Sequence, residues 1–160
     1  MKNLDAINET ISKRTGGQYI TFALGDEVYG VEILKVQEII GCPKFTKIPN
    51  VPPFVKGVIN LRGQIVPVID LRLKFNMVEK EHDEFTVILV LEVKGKVIGL
   101  LVDTVSDVVN LNEDEIQPTP DFSSGVRLDF ISGMGRKNEM LITLLNIDKV
   151  LTDRELEMLE

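Results

Sequence analysis

The stretch Val28-Tyr-Gly-Val-Glu-Ile-Leu-Lys-Val-Gln-Glu-Ile-Ile40 has a counterpart in the second half of the chain, Val97-Ile-Gly-Leu-Leu-Val-Asp-Thr-Val-Ser-Asp-Val-Val109. The two stretches align without a gap, which sets Gly30 opposite Gly99. Both are rich in the β-branched residues that favour strands. The repeat predicts two similar subdomains, with function on the surfaces between or around them.

A second pair of segments extends the repeat. Ile65-Val-Pro-Val-Ile-Asp-Leu71 aligns with Leu141-Ile-Thr-Leu-Leu-Asn-Ile147, which sets Asp70 opposite Asn146. The two members of this pair are further apart along the chain than those of the first pair. The larger separation indicates an insertion between Val109 and Phe130, an interval that holds the Asn, Pro and Ser residues of a loop.

Composition limits the class of protein. The chain has 160 residues, of which 44% are hydrophobic, and this is enough apolar material for a globular core. A single cysteine excludes an internal disulfide and favours a reducing compartment. No signal peptide or membrane-length apolar run is evident, so we expect a cytoplasmic protein. A net charge of -7, 6% aromatic residues and no Trp argue against nucleic-acid binding.

Short apolar segments separated by turn residues predict an all-β fold of two small barrels side by side. Three hairpins are expected, over Gln18–Ile33, Thr86–Val102 and Gly57–Asp70. In the last of these, Pro67 has no N–H to donate, so its strand should be bulged or at an edge there.

The expected domain organisation follows from the repeat. Residues 18–160 form one domain whose subdomains span roughly 18–83 and 84–151, with strand exchange between them possible. Residues 1–17, which run into Gly16-Gly17, are expected to form a flexible arm. Asp70 and Asn146 stand where N-caps would start short helices. Thr152-Asp-Arg-Glu155 has the form of a capping box, which predicts a C-terminal helix over 152–160.

Residue types that carry catalysis or bind metals are scarce. His82 is the only histidine and is interpreted as a solvated linker residue, and Cys42 as a half-buried structural thiol with no nearby histidine. Glu38 and Asp107 are equivalent in the repeat and could meet as a proton-sharing pair, but recognition of a partner by an exposed carboxylate is the better hypothesis. The acidic run Asn112–Glu115 lacks calcium-loop spacing and indicates a surface turn.

Arg62 is the charged residue whose setting is most distinctive. It stands at the predicted turn Arg62-Gly63. One hypothesis is a turn arginine in water, and the other is a guanidinium fork that holds a loop carbonyl or a partner carboxylate. Composition alone leaves both open.

Four segments together resemble a known family. They are Leu24-Gly-Asp-Glu-Val-Tyr-Gly30, Ile33-Leu-Lys-Val-Gln-Glu-Ile39, Phe54-Val-Lys-Gly-Val-Ile-Asn-Leu-Arg-Gly63 and Val66-Pro-Val-Ile-Asp-Leu-Arg72. From Gly17 to Leu159 the chain resembles the bacterial chemotaxis coupling protein family CheW. The resemblance implies two SH3-like five-stranded barrels and an adaptor function without catalysis, metal or cofactor.

The resemblance also implies partners and a site. The family bridges the regulatory domain of the sensor histidine kinase CheA to the cytoplasmic tips of methyl-accepting chemotaxis receptors, without inserting into the membrane itself. The positions matching the receptor-binding side are Val36, Glu38, Gly57, Arg62, Val87, Gly99 and Val105. Kinase-facing residues are not assigned. The expected location is the cytoplasm, with recruitment to membrane receptor arrays through these partners.

A competing hypothesis is a barrel that binds a small molecule or an oligonucleotide, because SH3-like and OB-like barrels serve many unrelated binding functions. The basic or aromatic face that this function needs is missing from the sequence. A gel-shift titration at low salt distinguishes the two, since tight and salt-sensitive binding would favour the oligonucleotide. An enzyme is the third and least favoured class.

Overall fold

The fold is given by a computed structural model, described here for residues 4–119 and 130–159. The strands are β1 Gln18–Leu24, β2 Glu27–Glu32, β3 Val36–Gly41, β4 Val55–Leu61, β5 Gln64–Asp70, β6 Val87–Val93, β7 Lys96–Val102, β8 Thr104–Asn110, β9 Ile116–Gln117, β10 Ile131–Lys137 and β11 Met140–Leu145. The helices are α1 Leu4–Ser12, α2 Leu71–Lys74 and α3 Asp153–Glu157, with 3₁₀ turns at Ile33–Lys35, Glu113–Glu115 and Ile147–Lys149. The predicted all-β class is confirmed.

The strands form two sheets, and each sheet contains strands from both halves of the chain. The first sheet has the order β8-β1-β2-β11-β10-β9, and the second has the order β3-β6-β7-β5-β4. Each sheet therefore combines strands from 18–83 with strands from 84–151, and the chain crosses between sheets after β2 and after β7. The first sheet has six strands rather than five because the two-residue β9 pairs with β10.

The repeat is visible at the level of single hydrogen bonds. The Asp70 N–H donates to the Phe54 carbonyl over 2.7 Å, and at the equivalent place the Asn146 N–H donates to the Phe130 carbonyl over the same distance. The Asp70 side chain accepts hydrogen bonds from the Arg72 and Leu73 N–H groups of α2. The Asn146 side chain accepts one from the Asp148 N–H of the 3₁₀ turn that follows it. Both predicted N-caps are confirmed.

The core has one large cluster of buried side chains and two smaller ones. The large cluster contains residues of both sheets, such as Phe22 of β1 and Leu89 of β6. A second cluster contains Ile88 and Val90, which alternate with Leu89 along β6. Because successive strand residues point to opposite sides, β6 is buried on both faces. This fixes β6 at the centre of the molecule.

The N-terminal segment is a docked helix, where the sequence predicts a flexible arm. Ile7 and Ile11 of α1 are four residues apart, so they share one helix face, and both are buried in the large cluster. The Asn8 side chain donates to the Ile39 carbonyl over 2.9 Å and accepts from the Ile39 N–H over 2.8 Å. α1 therefore covers the outer edge of β3.

The C-terminal helix begins as predicted. The Thr152 side chain accepts from the Glu155 N–H, and the Glu155 carboxylate accepts from the Thr152 N–H, which completes the capping box. α3 ends at Glu157, within the predicted range. Lys74 of α2 also donates to Glu155 over 2.9 Å, so the cap residue joins the two helices.

Candidate interaction surface

An exposed ion pair joins the two edges of the second sheet. Glu38 lies on β3 at one edge, and Arg62 lies in the turn after β4 at the other edge. The Arg62 guanidinium donates to both carboxylate oxygens of Glu38, with Nη1 3.4 Å from Oε2. The bidentate contact therefore bridges the two edges of the sheet. The Arg62 side chain is 71% exposed and that of Glu38 is 22% exposed, so the pair faces solvent.

Local sequence explains the position of Arg62. β4 and β5 are joined by the two residues Arg62 and Gly63, which have φ of 52° and 87°. Two positive φ values in a two-residue hairpin loop are typical of a type I′ turn. The Asn60 side chain accepts from the Gly63 N–H over 2.8 Å and stiffens the turn. Hydrogen bonding to Glu38, and then its negative charge, raise the pKa of Arg62 above its ordinary value.

Three of the seven predicted receptor-side positions share one row across the second sheet. Glu38 pairs with Val90, Val90 with Gly99, Gly99 with Val68, and Val68 with Gly57. The row crosses all five strands from β3 to β4. The predicted residues Glu38, Gly99 and Gly57 are therefore aligned by strand register, although Glu38 and Gly99 belong to different halves of the repeat.

Gly57 and Gly99 are required by close packing. A Cβ on Gly57 would lie 2.3 Å from the Thr46 carbonyl oxygen, and its φ of +145° disfavours any side chain. A Cβ on Gly99 would lie 2.7 Å from a methyl group of Ile88. Both glycines are buried. They set the distance between strands and present no side chain to a partner.

The three predicted valines are also inside the protein. Val36, Val87 and Val105 are almost fully buried members of the large core cluster. Of the seven predicted positions, only Glu38 and Arg62 therefore have exposed side-chain atoms that a partner could touch without rearrangement of the fold. The seven residues remain predictions as partner contacts.

The possible carboxylate pair of Glu38 and Asp107 is not formed. Glu38 lies in the second sheet and its carboxylate binds Arg62. Asp107 lies on β8 of the first sheet, where its backbone pairs with Thr21. Glu115 of the predicted acidic turn pairs with Lys137. No group of three or more potential metal ligands occurs within residues 4–119 and 130–159.

Cys42 and His82 do lie together, in contrast to the sequence interpretation. The Cys42 Sγ is 3.5 Å from the His82 Nδ1, and the imidazole packs edge-on against Phe45. Burial raises the pKa of the Cys42 thiol, and the nearby Lys56 only partly opposes the effect. A raised pKa lowers the fraction of the reactive thiolate, which disfavours Cys42 as a nucleophile.

Sequence reasoning missed a nearly buried ion pair at the crossover between the sheets. Arg72 of α2 donates from Nε to Asp103 over 2.7 Å and from Nη2 over 2.5 Å. The Gly25 N–H donates to the same carboxylate over 2.8 Å. Burial alone would raise the pKa of Asp103, but these hydrogen bonds outweigh it and hold the pKa below its ordinary value. The signal in the sequence is Arg72, two residues after the Asp70 cap.

The fold and the surface around Glu38 and Arg62 define a class of protein in which paired SH3-like barrels present an interaction surface. The profile of the CheW-like domain family matches residues 18–155. The chain belongs to the CheW-like family, as the four sequence segments predict.

Similar proteins agree with this assignment. The chain is 41% identical over 160 residues to the chemotaxis protein CheW of Klebsiella aerogenes, covering 100% of this chain and 96% of the relative. It is 39% identical to CheW of Rhizobium meliloti, covering 89% and 92%. The crystal structure of the scaffolding protein TtCheW from Thermoanaerobacter tengcongensis superposes with a TM-score of 0.80 at 30% identity, covering 88% of this chain and 96% of that one. No helix within the described residues is both long and apolar enough to span a membrane.

Proposed function

We propose that the protein is a non-catalytic signalling adaptor that couples methyl-accepting chemoreceptors to the sensor histidine kinase CheA in receptor arrays. Family membership supports a chemotaxis role, and the structural relative is named as a scaffolding protein. The observation that carries the receptor contact is the exposed Glu38–Arg62 pair that bridges the two edges of the second sheet. We place the protein in the cytoplasm, recruited to arrays by its partners.

The receptor tip is a helical hairpin in this proposal, and it lies against the surface edged by Glu38 and Arg62. A guanidinium has five N–H donors, so Arg62 can hold Glu38 and still donate to a partner carboxylate. The buried residues Val36, Gly57, Val87, Gly99 and Val105 act indirectly, because they set the positions of β3 and of the β4–β5 hairpin.

The kinase contact is proposed at the two hairpin tips. Ile65 on β5 is 71% exposed, and its repeat equivalent Leu141 on β11 is 60% exposed. Exposed apolar side chains at equivalent places suit a partner that is itself built from two similar barrels, as a CheW-like regulatory domain is. Ile65→Asp and Leu141→Asp should each weaken binding of the kinase domain by about tenfold.

Bridging is tested by sedimentation with vesicles that carry a chemoreceptor. The CheA regulatory domain should sediment with these vesicles only when the chain is present. Arg62→Ala should reduce recruitment because receptor contact is lost, while the binary complex with the kinase domain persists. Recruitment that does not depend on the chain, or a chain that binds neither partner, would contradict the proposal.

A further inference from the structure

A cleft on the second barrel has a charge opposite to that of the whole molecule. The cleft has a volume of about 760 Å³ and lies between the β3–β4 connection, the start of β4 and the segment that joins the two halves of the repeat. Lys44, Lys47 and Lys56 line it, against a single carboxylate, Glu79. The protein as a whole carries a net charge of -7. None of the seven receptor-side positions lines this cleft.

Two of the cleft lysines have no ionic partner among the residues that the structure describes. Lys56 is 3.3 Å from Glu79 and 3.9 Å from Asp70. Within residues 4–119 and 130–159, no carboxylate lies within ion-pair distance of Lys44 or Lys47, and both residues are exposed. Most other described lysines do have a carboxylate partner, so this cluster is unusual in the molecule.

The same cleft offers apolar surface. Val55 and Leu73 lie at its wall together with Phe45, which packs against His82, and the side chain of Ile48 is partly exposed. Thr46 makes the isolated bridge to Val58, while its neighbours in the connection have no ladder partner. An extended ligand can therefore use backbone groups as well as side chains.

We infer that this cleft binds an acidic peptide segment of a partner protein, with apolar side chains in the cleft and carboxylates on Lys44 and Lys47. Charge complementarity selects this ligand, because the acidic remainder of the protein repels such a peptide and leaves the cleft as its favourable site. A simple anion would leave the apolar wall unused. The inference is independent of the proposed receptor and kinase contacts.

The test uses a fluorescein-labelled peptide of alternating glutamate and phenylalanine, and binding is followed by fluorescence anisotropy. We expect saturable binding that weakens as salt is raised. Lys44→Gln/Lys47→Gln should weaken it by about three- to tenfold, as loss of two exposed ion pairs allows. Lys149→Gln/Arg154→Gln is the matched control, because it removes the same charge from exposed positions outside the cleft and should change nothing.

Cys42 provides a second readout because it lines the cleft and is the only cysteine. The bound peptide should slow its reaction with a neutral thiol reagent. Equal loss of affinity in both double variants, or no protection of Cys42, would overturn the inference. Displacement by millimolar inorganic phosphate, with equal binding of a glutamate–serine peptide, would also overturn it by indicating a simple anion site.

Discussion

At the scale of single residues, the seven predicted receptor-side positions divide into an exposed pair and five buried residues. Glu38 and Arg62 present charge to solvent, whereas Gly57 leaves room for the Thr46 backbone and Gly99 for a methyl group of Ile88. The resemblance located these positions along the chain, but it could not say which were exposed. Exposure depends on strand register, which a sequence motif does not contain.

Gly57→Ala should destabilise the protein by about 2–4 kcal/mol, because the new methyl group meets the Thr46 carbonyl and the φ of +145° is strained. Urea unfolding measures the change. Gly41→Ala is the matched control, since a Cβ there meets nothing within 4 Å and its φ lies outside the positive region. Equal stability of the two variants would show that β4 can move away from Thr46 at little cost.

The Arg72–Asp103 pair should make stability depend on pH. The pKa of Asp103 in the folded protein lies below the ordinary value of 3.8, so the folded state binds fewer protons than the unfolded state. Its contribution is therefore present above about pH 4 and is lost as the pH falls through the folded pKa.

Asp103→Asn should lower the free energy of unfolding by about 2–3 kcal/mol at pH 7, and by less below about pH 4. The midpoints of urea unfolding of the variant and the wild type, at pH 7 and below about pH 4, measure this difference. The exposed pair of Asp153 and Lys94 gives the control, because Asp153→Asn should have little effect. A loss for Asp103→Asn that is the same at both pH values would exclude the linkage.

At the scale of elements, the hairpins and helix caps could be predicted because their signals are local. The three expected hairpins form, and Asp70, Asn146 and Thr152 act as caps. The predicted edge or bulge at Pro67 is wrong, because β5 lies between β7 and β4 and the register shift falls on β4, between Val55 and Gly57. Pro67 is accommodated because the parallel ladder between β5 and β7 begins one residue later, at Val68. Docking of α1 could not be predicted, because its partner on β3 is 31 residues away.

Asn8→Ala should release the edge of β3. The Ile39 N–H loses its acceptor, so its amide hydrogen exchange should accelerate by about tenfold. Glu9→Ala changes an exposed residue of the same helix and should leave Ile39 protected. Unchanged exchange at Ile39 in Asn8→Ala would show that α1 does not protect this edge.

One turn in the second half places a residue other than glycine or asparagine at a position with positive φ. Asn138 and Glu139 join β10 and β11 with φ of 49° and 69°, whereas the equivalent turn in the first half ends in Gly63. Glu139→Gly should therefore stabilise the protein by about 0.5–1 kcal/mol in thermal or urea unfolding. A loss of stability in Glu139→Gly would mean that the Glu139 side chain stabilises the fold by more than its strained backbone destabilises it.

At the scale of the whole molecule, the duplication was evident from the sequence but the exchange of strands was only a possibility. The aligned segments of the repeat form equivalent strands, yet each sheet takes strands from both halves. Contacts between residues that are distant in sequence, such as Cys42 with His82 across 40 residues, arise only when strands of the two halves pair, here β3 with β6. Because each sheet takes strands from both halves, we expect the two barrels to unfold as one cooperative unit.

The most direct test of the account is a calorimetric titration with two partners, a chemoreceptor cytoplasmic hairpin and the CheA regulatory domain. We expect Arg62→Ala and Glu38→Lys each to weaken receptor binding by about tenfold, because we propose that this pair contacts the receptor. Kinase binding and the melting temperature should stay close to wild type. Equal losses for both partners, or a fall in melting temperature large enough to explain them, would show that the pair only bridges the two edges of the second sheet.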